Sequence, residues 1–214
     1  PLLYNRRDRF LAELSSRLRA AGIALDGTTS DGQLPKGCTL LAEENHSLTQ
    51  VLRRMMKYSD NLHAESVFYQ LAKSTGIRRA GARQGRQVVN QVIRKVGLNP
   101  SQYYVADGCG LSLYNYVTAE LIVRLLRLNY RDTAAHEALL RVLPIAGRDG
   151  TLRKRLRGTA AAGNGRAKTG VKTLAGFCTA SNGHRLAFCI LNEGVIHAAQ
   201  ASAIQNRICR AMCE

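Results

Sequence analysis

Leu174-Ala175-Gly176-Phe177-Cys178-Thr179-Ala180-Ser181-Asn182-Gly183-His184-Arg185-Leu186-Ala187-Phe188-Cys189-Ile190-Leu191 decides the fold. Residues 174–179 and 185–191 read as two strands, and Asn182-Gly183 between them is a strong hairpin signal. With that dipeptide as a two-residue loop, Cys178 is expected to pair with Ala187. Cys178 and Cys189 then become diagonal neighbours on one sheet face, within side-chain reach. Downstream, Ala201, Ile204, Ile208 and Met212 recur at helical spacing and close the chain as a helix.

Upstream, the pattern is helical. Phe10, Leu11, Leu14, Leu18 and Ala21 make one apolar stripe, ended by Gly22, and Asp26 to Gly37 reads as loop or short strands. Leu48, Val51, Leu52, Met55 and Met56 form a second stripe with Ser47 as its cap. Tyr58-Ser59-Asp60-Asn61 separates it from a third, Leu62, Val67, Phe68 and Leu71. Ser, Asp and Asn there mark a helix-to-helix junction, because their side chains compete for local backbone groups. Val88 to Val96 forms the next helix, ended by Gly97 and Pro100, and Leu121–Leu126 and Leu139–Leu143 add two more. Helices, then a short antiparallel sheet, then a helix give an α+β fold, a helical cluster packed on that sheet. There is no internal repeat and no low-complexity tract.

Composition narrows the class. A chain of 214 residues with 45% hydrophobic and 21% charged residues is neither collagen-like nor disordered. No apolar run reaches the roughly 18–20 residues of a membrane span, so no transmembrane segment is expected. Lys and Arg outnumber Asp and Glu 31 to 15, a net charge of +16 that favours anionic surroundings without choosing among them. Residues 148–168 are especially basic, with Asp149 their single acid. Cys38, Cys109, Cys178, Cys189, Cys209 and Cys213 form an even set, as an oxidising compartment allows, but leave the compartment open. None are spaced C-x-x-C, and Cys209 and Cys213 share a helix face where core packing is expected. The five histidines, His46, His63, His136, His184 and His197, show no metal spacing and read as solvated or core residues. No metal site and no cofactor is expected. The chain opens on Pro1 rather than Met, without a signal-peptide pattern, and is expected to be a piece of a longer chain.

Three spots carry chemistry: Ser59-Asp60-Asn61, Asp107-Gly108-Cys109-Gly110-Leu111-Ser112 and Lys168-Thr169-Gly170. Each alone is ordinary: a helix cap, a turn, the start of a strand. Their order changes the reading. S-x-N on a helix junction, then K-T-G opening a strand, is the layout of serine acyl-transferases acting on D-alanyl peptides or β-lactams. A strand edge beside a lysine offers N–H groups and a cation to a carboxylate, while the facing hydroxyl and amide can hold the substrate amide and relay a proton.

On these residues the chain resembles the class C low-molecular-mass penicillin-binding proteins, D-alanyl-D-alanine carboxypeptidase/endopeptidases of the bacterial periplasm. The likeness runs through Met55 to Glu65, Asp107 to Ser112 with Tyr114-Asn115 and Val117-Thr118, Leu143 to Gly147 with Asp149 to Leu152, and Ala167 to Gly170 leading to Leu174 to Phe177. The resemblance implies a partial penicillin-binding/β-lactamase-like transpeptidase domain over residues 46–214. Residues 1–45 would be an N-terminal helix and short strands leading from an accessory region. It implies catalytic roles for Ser59 (proton relay), Asn61 (substrate amide) and Lys168 (polarising Ser59). It implies substrate binding by Thr169, Gly170 and Val171, the Val171 N–H forming half of the oxyanion hole. Peptidoglycan stem peptides would be the substrates and β-lactams the inhibitors, in the periplasm, with no nucleic-acid partner.

Several features depart from the family. S-x-x-K, whose serine attacks and whose lysine deprotonates it, is missing: no serine here has Lys three residues on. In the family it lies far upstream, so this chain alone is expected to be inactive. Cys109 stands where the family usually has serine, and Val171-Lys172-Thr173 is shorter than the family's segment, trimming the strand that presents substrate. A class A β-lactamase would need E-x-x-L-N, and an α/β-hydrolase G-x-S-x-G; neither is present. The alternative is a non-catalytic basic module binding an anionic cell-wall or nucleic-acid polymer. Arg78, Arg79, Arg83, Arg86, Arg94 and Lys95, with no acid among residues 78–95, would supply its cationic face.

Overall fold

The computed structural model describes residues 6–28, 32–33, 35–78, 80–169 and 173–214. They divide into two units, Pro1–Glu44 and Asn45–Glu214. The first holds helix α1 (Arg6–Ala20). Gly22, at φ 81°, ends it, and the Ile23 N–H returns to the Leu18 carbonyl as in a Schellman cap. The short strands expected before residue 46 are not seen: the described residues between α1 and Ser47 contain turns and bends only. That stretch lacks the apolar alternation needed to bury a strand face.

The second unit carries α2 (Leu48–Tyr58), α3 (Asn61–Lys73), α4 (Ala82–Lys95), α5 (Ala119–Tyr130), α6 (Thr133–Val142) and α7 (Ala198–Cys213). Ser47 caps α2 as a full capping box with Gln50, and Asp60, Thr118 and Asp132 cap α3, α5 and α6 through their side chains. Strands β1 (Arg166–Thr169), β2 (Thr173–Thr179) and β3 (Arg185–Leu191) form one antiparallel sheet in the order β1-β2-β3. The fold class is as expected: helices on a short antiparallel sheet. No helix among the described residues is long and apolar enough to cross a membrane.

Two details of the sheet differ from the sequence reading. Lys168-Thr169 does not open a strand but closes β1, which pairs Lys168 with Ala175 and Thr169 with Leu174. The hairpin register is also one residue off: Cys178 faces Leu186, and Phe177 faces Ala187. Ala180 still bonds to His184, so the loop is the three residues Ser181-Asn182-Gly183, with Gly183 at φ 82°. A one-residue slip moves every side chain to the other face. Cys178 and Cys189 therefore lie on opposite faces rather than as diagonal neighbours.

The face bearing Leu174, Cys178 and Phe188 packs with Leu152, Leu156, Ala167, Cys209 and Cys213 as the main core, so Cys209 and Cys213 pack inward on α7. Arg155 ties α7 down through Asn206 Oδ1 at 2.8 Å and Gln205 Oε1 at 3.0 Å. A smaller core joins α4 and α5 through Ile93, Tyr103 and Leu121. His136 is a core histidine: it is buried, stacked edge-on against Phe177 at 4.7 Å, and burial then the Arg185 charge push its pKa down.

Candidate active site

The short link between α2 and α3 sets the site. Ser59, the C-cap of α2, has φ 56° and ψ 44°, the left-handed region a side chain rarely occupies. Holding serine there costs on the order of 1 kcal/mol. Among described residues only Leu156 shares this feature outside glycine. Asp60 returns to extended backbone as the N-cap of α3, and Asn61 is the first residue of that helix. One left-handed step followed by one extended step links α2 to α3 within two residues. Ser59 itself is exposed.

Across the corner lies the end of β1. Lys168 Nζ donates to Ser59 Oγ at 2.7 Å, joining residues 109 apart in sequence. Burial pulls the Lys168 ammonium below its ordinary pKa. A hydroxyl that accepts from an ammonium is polarised, and the ammonium can replace a proton that the hydroxyl gives up. Asn61 is exposed on the first turn of α3, its side chain without a hydrogen-bond partner among the described residues. The structure therefore brings Ser59 and Lys168 into contact and leaves Asn61 two residues on from that contact. Thr169 closes β1 opposite Leu174. Gly170 and Val171 lie outside the described residues.

Three sets of contacts brace these helices; the sequence singles out the residues of the third, the glycine-rich loop, but none of the contacts. The first is Lys57, only 7% exposed although it sits in the last turn of α2. Its Nζ donates to the Leu143 carbonyl and to Asp149 Oδ2, both at 2.6 Å. Asp149 Oδ1 accepts from the Ile145 N–H at 2.7 Å. Burial works against the Asp149 carboxylate, but Lys57, Ile145 and Arg166 together hold its pKa below the usual value. Gly150, at φ 54°, is pressed against the α2 terminus: a Cβ there would lie 2.8 Å from the Lys57 carbonyl oxygen. The second support is Asp60. It accepts from the His63 N–H and ring Nδ1 at 3.1 and 2.9 Å and from Arg54 at 3.2 Å, and these bonds, led by His63, bring its pKa down to about 2. His63, read as solvated or core, is instead a partner of the corner's own cap.

The third is the glycine-rich loop. Glu65 of α3 accepts from the Gly108 and Cys109 N–H groups, while Asp107 accepts from Gly110, Ser112 and the Asn115 side chain. Gly108 is needed for close approach, since a Cβ there would run into Phe68. The donor atoms of Glu65, Asp107 and Cys109 lie within 4.8 Å of one another. The carboxylates are already engaged with loop N–H groups, and burial raises the Cys109 thiol pKa, so the trio works as a loop clasp.

Comparison with known proteins gives the family. The D-Ala-D-Ala carboxypeptidase 3 (S13) family matches residues 4–213. The chain is 35% identical over 190 residues to D-alanyl-D-alanine carboxypeptidase DacB of Haemophilus influenzae, covering 85% of this chain and 39% of that one. It is 34% identical over 214 residues to a D-alanyl-D-alanine carboxypeptidase of an Actinomadura species, covering 92% of this chain and 38% of that one. The solved structure of penicillin binding protein 4 from H. influenzae, complexed with a β-lactam, superposes with a TM-score of 0.78 at 29% identity, over 96% of this chain and 52% of that one. The chain thus spans about two fifths of the length of these curated relatives. A match running almost from end to end places the chain in the D-Ala-D-Ala carboxypeptidase 3 family.

Proposed function

We propose that these residues supply the proton-relay and carboxylate-binding half of a serine acyl-transfer site that acts on D-alanyl-D-alanine peptides of peptidoglycan. The observation that carries this reading is the Lys168–Ser59 hydrogen bond of 2.7 Å. In the complete site the serine of an S-x-x-K segment attacks the penultimate D-alanine carbonyl. Its proton leaves through the neighbouring lysine, and an acyl-serine ester forms as the peptide C–N bond breaks. Ser59, polarised by Lys168, delivers a proton to the departing D-alanine nitrogen, and water later cleaves the ester. Asn61 holds the acyl-side amide. Lys168 and Thr169 attract the terminal carboxylate, and the Val171 N–H stabilises the oxyanion. β-Lactams enter as mimics of the same peptide end and stop at the ester. The compartment that suits this substrate is the periplasm.

Labelling with a fluorescent penicillin tests the proposal. The 214-residue chain alone, which contains no S-x-x-K, stays unlabelled, whereas a longer polypeptide that adds an S-x-x-K segment of the family acquires label. In that longer form Ser59→Ala and Lys168→Ala each slow acylation by about 100-fold or more. The absence of an acyl-enzyme on the longer polypeptide, or unchanged labelling by Lys168→Ala, overturns it.

A further inference from the structure

Away from Ser59, cations gather along one side of α5. Arg124, Arg127 and Arg131 recur at intervals of three and four, so they share one stripe of α5 and its C-cap, and consecutive members lie about 4.5 and 6 Å apart along the axis. The stripe borders two adjoining cavities. One, of about 410 Å³, is also lined by Lys95 at the end of α4; the other, of about 470 Å³, by Arg185 at the start of β3. Arg127 and Arg131 line both.

The stripe has one internal acid, and it is already used. Glu120 pairs with Arg124 at 2.7 Å, and Arg124 also caps the end of α4 through the Val96 carbonyl at 3.0 Å. Lys95, Arg127 and Arg131 are exposed, and their side chains make no hydrogen bond or ion pair among the described residues. Cations from three elements thus line two adjoining cavities that share Arg127 and Arg131 and hold one acid, Glu120, already paired with Arg124.

We propose that this groove binds successive phosphate groups of a linear anionic polymer. A carboxylate presents two oxygens, which a single guanidinium fork fills. A phosphate presents more acceptor oxygens and can be shared between an α5 arginine and the Lys95 or Arg185 that lines the same cavity. The turn-by-turn spacing of the arginines suits anionic groups repeated along a chain rather than a lone ion. The exposed ring of Tyr130, with Phe177 and Leu186, gives the second cavity an apolar floor for the polymer's linking atoms.

Binding of long-chain inorganic polyphosphate to the 214-residue chain, followed across a salt series, tests this. Wild type binds, and its affinity falls with salt with a log–log slope of roughly −2 to −3, as expected for three or four neutralised phosphates. Arg127→Glu with Arg131→Glu weakens binding at least about tenfold and flattens that slope. The charge-matched pair Arg83→Glu with Arg207→Glu, exposed cations outside the groove, changes affinity by less than about twofold. Should the groove glutamates disturb folding, Arg127→Gln with Arg131→Gln gives the same direction with a smaller loss. Equal weakening by the two glutamate pairs overturns the proposal, as does poly-glutamate binding as tightly as polyphosphate or no binding by wild type at low salt.

Discussion

The two sides of the Ser59–Lys168 contact are held by different physics. Lys168 sits at the end of a strand whose neighbours Ala167 and Leu174 are 2% and 1% exposed, in an apolar core closed by Phe188 and Cys209. Ser59 sits at a strained corner held by charged and polar ties: Lys57 to Asp149, Asp60 to His63 and Arg54. An apolar core gives one side a stiffness that salt and pH barely touch. The polar ties give the other a fixed direction, but one that depends on protonation. The lysine is delivered by packing and the serine by electrostatics.

The largest expected effect is on the packed side. A Cβ on Gly176 would run into the Arg166 carbonyl and Ala167 of the paired strand. Gly176→Val therefore separates β1 from β2 and destabilises the chain by about 4 kcal/mol or more in denaturant unfolding. Lys168 moves away from Ser59 as a result. A variant that kept wild-type stability would show that the strand pairing does not carry Lys168.

Asp149→Asn comes next. It strips the buried Lys57 ammonium of its counter-charge, and because Asp149 is itself 42% exposed the cost is about 2 kcal/mol rather than the larger loss of a fully buried pair. Urea unfolding reads this directly, and raised hydrogen exchange should concentrate at residues 57–63. Exchange rising equally in the sheet would erase the contrast between the two sides.

Ser59→Gly works in the opposite direction. It relieves the left-handed strain and raises stability by about 1 kcal/mol, while Ser59→Ala, which keeps a Cβ at φ 56°, does not. Both remove the hydroxyl, so the gain measures the backbone strain held at the corner. Equal stabilities for the two variants would remove strain from the account.

The smallest effect is local and pH-dependent. Asp60 has a pKa of about 2 in the fold against an ordinary 3.8, so its contribution is complete above 3.8 and is lost as pH falls through 2. Amides of the first turn of α3 should exchange faster across that window, with β2 and β3 unaffected. In Asp60→Asn, which keeps a capping oxygen, the window should vanish.

Much of this was legible in the chain because helical periodicity and caps are local. The stripes at Leu48–Met56 and Leu62–Leu71 and the Ser-Asp-Asn between them locate the corner to the residue. The hairpin was legible in kind but not in register. Asn182-Gly183 signals a turn, yet whether Ser181 joins the loop depends on which face of β2 meets α7, and that is tertiary. Lys57 was illegible for a related reason. A lysine in the last turn of a helix looks like an ordinary surface residue near the negative end of the helix. Its burial depends on Asp149, 92 positions away, and no local pattern announces that pairing. Gly150 carried a hint as a lone glycine after an acid, but only the α2 backbone beside it explains the need.

The edge position of β3 has a consequence for handling the protein. Among the described strands it has a ladder partner on one side only, and of its seven residues Arg185 alone is charged. Such a rim offers a row of amide and carbonyl groups to any extended segment that arrives, including the same rim of a second molecule. Concentrated preparations should therefore scatter light before they lose helix signal, and a lysine at Ala187 or Cys189 should delay that onset.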